Sequence, residues 1–569
     1  MIVYGDRRRI DTPANVLASI ERVLTAAHAQ AAQERYDLLT QALIEAGELL
    51  QGLADAEFEA KGVDDVSPVQ DAGMELVLTI ARQLHGYWRG DDRRSDMPRR
   101  ELAAVRCFLT GRPVCLKVPE GYAFYAVHPD DYFSAAASYS WLGPPLVIGL
   151  RSIGTSLAAA VAAATGGAAI SLRPAGHPFS RELRLSAALK SRLVAHVGPF
   201  ALVDEGPGLS GSSFGAAADL LESLGVEAER MVFLPSHAGP LGSRASARHR
   251  ERWTRARKLV ASFDETSSAQ NMRRWFGELG PRAGVEDLSG GRWRGDYDEE
   301  ARPPAAPGQE RRKYRWRIGP QRWVARYAGL GALGHAKLAR SRALHMAGFG
   351  PEPIALRRGF LLERWVEGAR LDTFGPDRGE FLVHLGRYLG FRAANFPARG
   401  EEGASLEALR QMARLNAVAL CGENVAERVT AALAGLAELD VVPVHVDGRL
   451  QPWEWVRRPD CRFCKADALD HSCDHSLPGC QDIAWDIAGA AVEFGLSAEE
   501  VEDLRIAVTR IGDRTVSSES VRMLGLCYAA FQGGSWRMAE DAALPPEQSQ
   551  LRRRRLEYAA ALRAASGRG

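Results

Sequence analysis

The sequence predicts a multidomain protein: a helical N-terminal segment, an α/β domain with a parallel sheet, and a further domain of strands and helices. Apolar residues recur at helical spacing between Val16 and Leu50, which is typical of amphipathic helices. From Leu102 onward, strand-like and helical runs alternate, as in a parallel sheet covered by helices. A stretch rich in Pro, Gly and charged residues at 289–313 precedes a second set of such runs. The predicted domains are 1–88, 89–240, a basic helix and linker at 241–312, and 313–569.

The charge balance argues against a polyanionic partner. The chain has 569 residues, 72 of them basic and 71 acidic, for a net charge of +1, so nothing points to nucleic acid or an anionic membrane. No stretch reaches the ~18–20 apolar residues of a spanning helix, and the basic N-terminus lacks the apolar core of a signal peptide. Eight cysteines do not indicate a disulfide scaffold in a chain of this size. We expect a cytoplasmic protein that acts on small molecules, with N-terminal helices that pack or form a homodimer.

The stretch Phe200–Gly215 has the clearest chemical pattern. An apolar strand at 201–203 ends in Asp204 and Glu205, and a Gly/Ser-rich loop then precedes an apolar helical pattern. Backbone N–H groups at a helix N-terminus can hold a phosphate, and the carboxylates can hold sugar hydroxyls or a divalent metal. The alternative is a Gly/Ser turn with the acids as a helix cap.

Val203-Asp204-Glu205 and the loop that follows resemble the phosphoribosyl-pyrophosphate (PRPP) motif of type I phosphoribosyltransferases. The resemblance implies a Rossmann-like domain and a Mg²⁺-dependent reaction with PRPP as co-substrate. It implies that Asp204 and Glu205 contact the ribose hydroxyls as catalytic residues, although many members have a second Asp where Glu205 stands. The loop residues that would wrap the 5′-phosphate are Gly208, Ser210, Gly211, Ser212 and Ser213.

The same resemblance covers about Val114 to Ser236 and places two further segments. Arg151 and Ser152 stand where a short loop contacts pyrophosphate, after the apolar strand 146–150. A mobile basic loop is expected next, closing over the site. Its candidates for the leaving pyrophosphate are Arg173, His177, Arg181 and Arg184. Strands are also predicted at 114–118, 122–127 and 168–172.

The second half, Tyr314 to Gly533, resembles the aminoglycoside-phosphotransferase and choline-kinase branch of the protein-kinase-like fold. The resemblance rests on an ordered series of segments: two strand-like runs at 314–327, a helix at 335–346, Gly348–Pro351, Leu361–Gly368, His445-Val446-Asp447, and Asp482–Ala488. It implies a bilobal α+β domain that uses ATP. It further implies that Leu361–Gly368 carries the adenine, that Asp447 receives the substrate hydroxyl's proton, and that Asp482–Ala488 anchors the catalytic loop.

The second half also departs from that family. Arg326 stands where an ATP-binding Lys is expected, and an Arg is not a geometric equivalent of an ammonium group. We take Arg326 and Glu363 as the ATP-binding candidates. Pro452 stands where a metal-binding Asn is expected, so Gln451, or else Glu454, would supply the oxygen. Asp467 is the second metal-ligand candidate, with Asp470 as the alternative.

A group of cysteines and a basic stretch could indicate a zinc site and a nucleic-acid contact, but simpler interpretations are favoured. Zinc at Cys461, Cys464, Cys473 and Cys480 is not favoured, because only the first pair has knuckle spacing and scattered thiols are common in cytosolic proteins. The basic stretch Arg244–Lys258 with its Trp favours a solvated helix over a nucleic-acid contact.

These patterns predict a bifunctional enzyme that combines PRPP-dependent phosphoribosyl transfer with ATP-dependent phosphorylation of a hydroxyl. The alternative is a regulatory or binding protein that senses PRPP and retains a degenerate kinase-like scaffold. A third hypothesis is that only the first half is an enzyme and the second recruits a substrate or partner.

Overall fold

The computed structural model describes residues 7–91, 96–208, 210–266, 269–279, 284–306, 310–372, 378–472, 474 and 476–567. Cys473, one of the residues considered for zinc, lies outside them. Among the described helices, none is both long and apolar enough to cross a membrane.

The chain begins with helices and a two-stranded ribbon. The Thr12 side chain accepts the Asn15 N–H over 3.3 Å and Pro13 follows as the first helical residue, so the first helix starts with both favoured signals. The elements are β1 (Arg8–Asp11), α1 (Pro13–Ala29), α2 (Ala32–Lys61), α3 (Pro68–Trp88), α4 (Arg99–Arg106), β2 (Val114–Lys117), α5 (Glu120–Phe124) and α6 (Pro129–Ala137).

Two strand predictions in this region need correction. Residues 114–117 form a strand, but it pairs antiparallel with β1 and stays outside the parallel sheet. Residues 122–127 are not a strand: 120–124 form the short helix α5, which follows Pro119. A short apolar run does not by itself distinguish a buried helical turn from a strand.

A five-stranded parallel sheet follows, in the order β4-β3-β7-β8-β9. Its three central strands read as continuous apolar runs because both faces of the sheet are covered. The elements are β3 (Leu146–Leu150), α7 (Gly154–Thr165), β4 (Ala168–Leu172), β5 (Pro174–His177), β6 (Ser180–Leu183), α8 (Ala187–Val194), β7 (Phe200–Val203), α9 (Ser212–Ser223), β8 (Met231–Leu234), α10 (Ala247–Arg255) and β9 (Arg257–Lys258).

The N-terminal helices cover one face of this sheet. Leu50, Val77 and Ile80 belong to one buried cluster with Val147 and Val203 of the sheet. Because α2 and α3 pack against α7, the first 88 residues contribute to the core of the α/β domain.

The predicted basic helix and linker contains folded structure. Arg252 of α10 donates to Asp219 and Glu222 of α9, and Trp253 is buried, so the helix packs onto the α/β domain. Further on, Val285 pairs with Trp316 at the edge of a second sheet. The elements are α11 (Phe263–Thr266), α12 (Ala269–Trp275), β10 (Gly284–Asp287) and 3-10 helices at Arg292–Asp296 and Glu299–Ala301.

The second half has two parts. The first is an antiparallel sheet in the order β10-β11-β12-β14-β13 with one helix, and the second is mostly helical. The sheet part comprises β11 (Lys313–Ile318), β12 (Gln321–Tyr327), α13 (Gly331–Met346), β13 (Pro353–Arg357) and β14 (Phe360–Arg364). The helical part comprises β15 (Ala369–Arg370), α14 (Arg378–Asn395), α15 (Leu406–Cys421), α16 (Glu423–Ala432), β16 (Pro443–Val444), β17 (Trp455–Arg457), β18 (Phe463–Lys465), β19 (Gln481–Asp482), α17 (Ala484–Glu493), α18 (Ala498–Gly512), α19 (Ser518–Ala542) and α20 (Pro545–Ser566).

The two halves are joined by polar contacts. The Tyr122 carbonyl accepts the Tyr327 hydroxyl over 2.6 Å and the Leu330 N–H over 2.9 Å. The Arg358 N–H donates to Asp37 over 3.0 Å. The first half of the chain therefore contacts the antiparallel sheet of the second half directly.

Candidate functional site

The carboxyl end of β7 carries the first candidate site. Asp204 and Glu205 follow the strand directly, and Asp204 Oδ1 accepts the Glu205 N–H over 2.9 Å. The Tyr132 hydroxyl donates to the Asp204 carbonyl over 2.8 Å. Burial raises the pKa of the Asp204 carboxyl to about 7. Gly121 lies so close to Glu205 that a Cβ there would collide with the carboxylate.

The Ser-rich loop follows at the N-terminus of α9. Gly211 caps the helix at φ 62°, a conformation that favours glycine, and Gly208 is exposed at φ 61°. The Ser212 hydroxyl donates to the Pro178 carbonyl over 2.8 Å, and the Ser210 hydroxyl donates to Ser212 over 2.9 Å. Ser213 is the second residue of α9 and is half-buried. The acids and the loop thus lie at one end of the sheet, with the tip of the β5–β6 hairpin against them.

Arg151 is held by the N-terminal helices. Its guanidinium is buried, forms an ion pair with Asp64, and lies 3.4 Å from Asp55 through Nε. The Arg173 side chain donates to Asp55 over 2.5 Å and its N–H to Asp64 over 2.7 Å. Arg151 and Arg173, two of the four arginines predicted for pyrophosphate, therefore already have carboxylate partners, and Ser152 lies half-buried beside Arg151.

The remaining candidates of the basic loop lie on the hairpin. His177 accepts the Phe179 N–H over 3.2 Å, Arg181 donates to the Gly176 carbonyl over 2.9 Å, and Arg184 donates to Glu182 over 2.6 Å. His177 and Arg184 are exposed. The hairpin lies beside the Ser loop, where the Pro178 carbonyl accepts the Ser212 hydroxyl.

The second candidate site is the cleft between the antiparallel sheet and the helical part. It encloses a cavity of about 590 Å³. One wall is formed by the segment between β10 and β11, which was expected to be a linker. Representative lining residues are Trp293, Lys313, Arg326, Val366, Arg449 and Asp467.

A buried acid shapes the loop that carries Asp447. Asp486 accepts the N–H of Asp447 over 2.7 Å and that of Gly448 over 2.8 Å. Asp482 accepts the Ala484 N–H over 2.9 Å at the start of α17. Burial, and then the charge of Asp447, raise the pKa of Asp486 to about 6. The predicted anchoring segment therefore holds the loop in place.

Asp447 itself is 1% exposed. The Tyr388 hydroxyl donates to it, Lys465 Nζ lies 3.3 Å from its Oδ1, and His471 Nδ1 lies 3.5 Å from the same oxygen. Burial alone would raise the pKa of this carboxyl, but the nearby Lys465 and His471 outweigh burial and hold it well below its usual range. Asp447 is thus a buried carboxylate anion whose charge is balanced by the neighbouring Lys465 ammonium.

The two ATP-binding candidates bind each other. Arg326 donates to Glu363, and its other terminal nitrogen lies 2.7 Å from Asp467. Glu363 is fully buried and also accepts the Ser341 hydroxyl over 2.6 Å. Arg326 therefore links β14 to the strand end that carries Asp467.

The predicted metal ligands do not fit a divalent ion as they are arranged. Gln451 accepts the Arg449 Nε–H over 2.7 Å, and Asp467 is paired with Arg326. Mg²⁺ requires close, near-octahedral oxygen ligands at ~2.0–2.1 Å. At the first site, Asp204 Oδ1 already accepts the Glu205 N–H over 2.9 Å.

Two buried lysines, Lys465 and Lys337, were not predicted as site residues from the sequence. Lys465 donates to Glu454 over 2.5 Å, and Lys337 of α13 pairs with Asp470. The signal for Lys465 was a charged residue inside the short apolar run Phe463–Ala466. Among the cysteines considered for zinc, Cys461 is exposed, Cys464 is buried, and Cys480 lies 3.1 Å from His445 Nδ1.

No protein-family model matches the sequence, and no curated protein matches it. The chain is similar to several solved structures. Choline kinase LicA from Streptococcus pneumoniae is 16% identical over 51% of this chain and 97% of that chain, with a TM-score of 0.33. Macrolide 2′-phosphotransferase MphH from Brachybacterium faecium is 16% identical over 46% of this chain and 90% of that chain, with a TM-score of 0.30. Aminoglycoside phosphotransferase APH(4)-Ia, in a complex with AMP-PNP and hygromycin B, is 15% identical over 53% of this chain and 100% of that chain, with a TM-score of 0.32.

Proposed function

We propose that the second half binds a nucleoside triphosphate in the cleft and transfers its terminal phosphoryl group to a hydroxyl of a small molecule. The observation that carries the proposal is the loop of Asp447, which Asp486 fixes through two backbone N–H groups. Gly448 and Arg449 of this loop line a second cavity of about 80 Å³, which shares Arg326, Arg449 and Asp467 with the larger one. The reacting hydroxyl of an acceptor in the smaller cavity would lie beside a nucleotide bound in the larger cavity.

The side chains of the cleft suit parts of this reaction. Lys313, Arg326 and Arg449 line the larger cavity and can neutralise the phosphates. Asp447 is ionised at neutral pH and can accept a proton from the acceptor hydroxyl. The Tyr388 hydroxyl now donates to Asp447, and the acceptor hydroxyl would take its place as donor.

Incubation with labelled ATP and a panel of choline, aminoglycoside and macrolide acceptors tests the proposal. We expect Asp447→Asn to lower the transfer rate at least ~100-fold, because general-base contributions are of about that size, with little change in nucleotide affinity. Asp541→Asn, an exposed acid on α19, is the matched control. Transfer that survives in Asp447→Asn would contradict the assignment.

We propose a second function for the first half: binding of PRPP and transfer of its phosphoribosyl group. The specific observation in its favour is that Asp204, Glu205 and the Ser210–Ser213 loop converge at the carboxyl end of β7, at the centre of a parallel sheet. This edge of an open α/β sheet is the usual ligand position. With both functions, the protein is a bifunctional enzyme.

Calorimetry with PRPP tests the second function. We expect Asp204→Asn and Glu205→Gln each to weaken PRPP binding about 10-fold or more, as for lost charge-assisted hydrogen bonds. Glu227→Gln, an exposed acid of the same domain, is the control. Tight PRPP binding without turnover in any metabolite mixture would favour the sensing alternative, in which the second half is a scaffold.

A further inference from the structure

We infer that the ammonium group of Lys465 is a built-in replacement for a divalent cation at the base of the cleft. This inference deepens the phosphotransferase proposal and rests on it for its functional meaning. Lys465 stands among the group formed by Asp447, Glu454 and His471. The ligand atoms of these three residues all lie within 4.8 Å of one another.

The contacts of Lys465 define its role. Its side chain is fully buried, and Nζ donates to Glu454 Oε2 over 2.5 Å and to the Asp467 carbonyl over 2.5 Å. Asp447 Oδ1 lies 3.3 Å from the same nitrogen. An ammonium group has three N–H donors and no acceptor, so these three oxygens match its full bonding capacity.

The charges explain why a cation is needed here. Asp447 is 1% exposed and Glu454 is 9% exposed, and two buried carboxylates this close together need a compensating positive charge. Lys465 supplies it from the last position of β18.

The arrangement also explains the misfit of the predicted metal ligands. Three donors within 4.8 Å of one another could surround one ion, because oxygen and imidazole ligands approach a divalent ion to ~2.0–2.4 Å. The Lys465 nitrogen contacts two of the three residues and excludes an ion from that position. A divalent ion that arrives with a nucleotide would then be held by its phosphates rather than by Asp447 and Glu454.

Titration with Mn²⁺ alone, without nucleotide, tests the inference, with bound Mn²⁺ counted by electron paramagnetic resonance. Lys465→Met should gain one Mn²⁺ site per chain that binds at least ~10-fold more tightly than any site of the wild type. The added Glu454→Gln change should remove it. Lys465→Arg keeps the positive charge and should gain no site. Lys337→Met removes another buried lysine, which is paired with Asp470, and should also gain none.

Two results would overturn the inference. One is a folded Lys465→Met variant with no new site. The other is a wild-type Mn²⁺ site that Glu454→Gln removes. The comparison of wild type with Glu454→Gln needs no change at Lys465, so it tests the inference even if Lys465→Met does not fold. In that case, a wild type that has no Mn²⁺ site dependent on Glu454 supports the inference. No arm measures phosphoryl transfer, so failure of the proposed function and failure of this inference are seen in different experiments.

Discussion

The carboxylate of Asp486 lies 2.7 Å from the backbone nitrogen of Asp447 and accepts its N–H. The same carboxylate accepts the next N–H, that of Gly448. Gly448 has φ 74°, and a Cβ there would press against the His471 carbonyl. One buried acid thus determines the direction of the loop on which the proposed proton acceptor stands.

Replacing Asp486 by Asn should loosen this loop. The amide has one acceptor oxygen in place of two, so one of the two buried N–H groups loses its partner at a cost of about 1–3 kcal/mol. Urea unfolding measures this loss, and labelled-ATP transfer should fall in parallel. Asp541→Asn on the exposed face of α19 should change neither. Unchanged stability would show that the loop does not depend on Asp486.

Asp204 should make the folded state less stable as the pH rises. Its pKa is about 7 in the folded protein against an ordinary value of 3.8. Between these values the folded state binds a proton that the unfolded state has lost, so the free energy of unfolding falls with increasing pH. Asp204→Asn removes this contribution and should raise the free energy of unfolding at pH 8 by about 2–4 kcal/mol relative to wild type.

The measurement is the difference between the two proteins in urea unfolding at pH 4.5 and at pH 8. Other buried acids cancel in this difference. An equal effect of the substitution at both pH values would mean that the Asp204 carboxyl has an ordinary pKa.

Replacing Arg326 by Met should strongly destabilise the second half. Glu363 and Asp467 would lose their common cation, and breaking a buried pair costs about 3–5 kcal/mol. Arg322→Met on the same strand is the control, because its partner Glu367 is half exposed and such pairs contribute about 0–1 kcal/mol. Thermal unfolding compares them, and equal effects would refute the structural role of Arg326.

Arg358 should hold the two halves together. It lies at a turn with φ 50°, pairs with Asp130, and stacks 3.1 Å from the ring centre of Tyr36. Arg358→Met should lower the stability by about 2–4 kcal/mol, as for a partly buried charged network, and should speed proteolytic separation of the halves. Arg364→Met, whose pair with Glu352 is exposed, should not. Intact resistance to protease in Arg358→Met would contradict this role.

Trp293 should contribute to nucleotide binding. It lines the cavity and donates its indole N–H to Glu310 over 2.9 Å. Trp293→Ala should weaken ATP binding about 5–10-fold, in line with about 1 kcal/mol for an aromatic contact, as measured by calorimetry. Trp141→Ala in the first half is the control. An unchanged affinity would mean that this wall of the cavity does not touch the nucleotide.

Much of the chain order could be predicted from the sequence. The apolar run Ala201–Val203 followed by two acids predicted the strand end, and the apolar pattern after the Gly/Ser-rich loop predicted a helix, because these are local signals; the helix begins at Ser212, inside the predicted loop. The anchoring role of the segment at Asp482–Ala488 was also predicted, since the motif fixes which residues meet. The role of residues 289–313 was not predicted, because their Pro, Gly and charged residues are equally typical of a linker. The structure shows that they form a wall of the cleft, since Trp293 and Asp296 line its cavity.

The parallel sheet and the acids at the end of β7 could be predicted from the sequence, because hydrophobic period and turn residues act locally. Which charged side chains form pairs is visible only in the folded protein. Arg151 pairs with Asp55 of α2 and with Asp64, which follows that helix. Lys465 takes the central position among Asp447, Glu454 and the Asp467 carbonyl. Charge pairing joins residues far apart in the chain, and burial sets its strength, so spacing along the sequence does not reveal it.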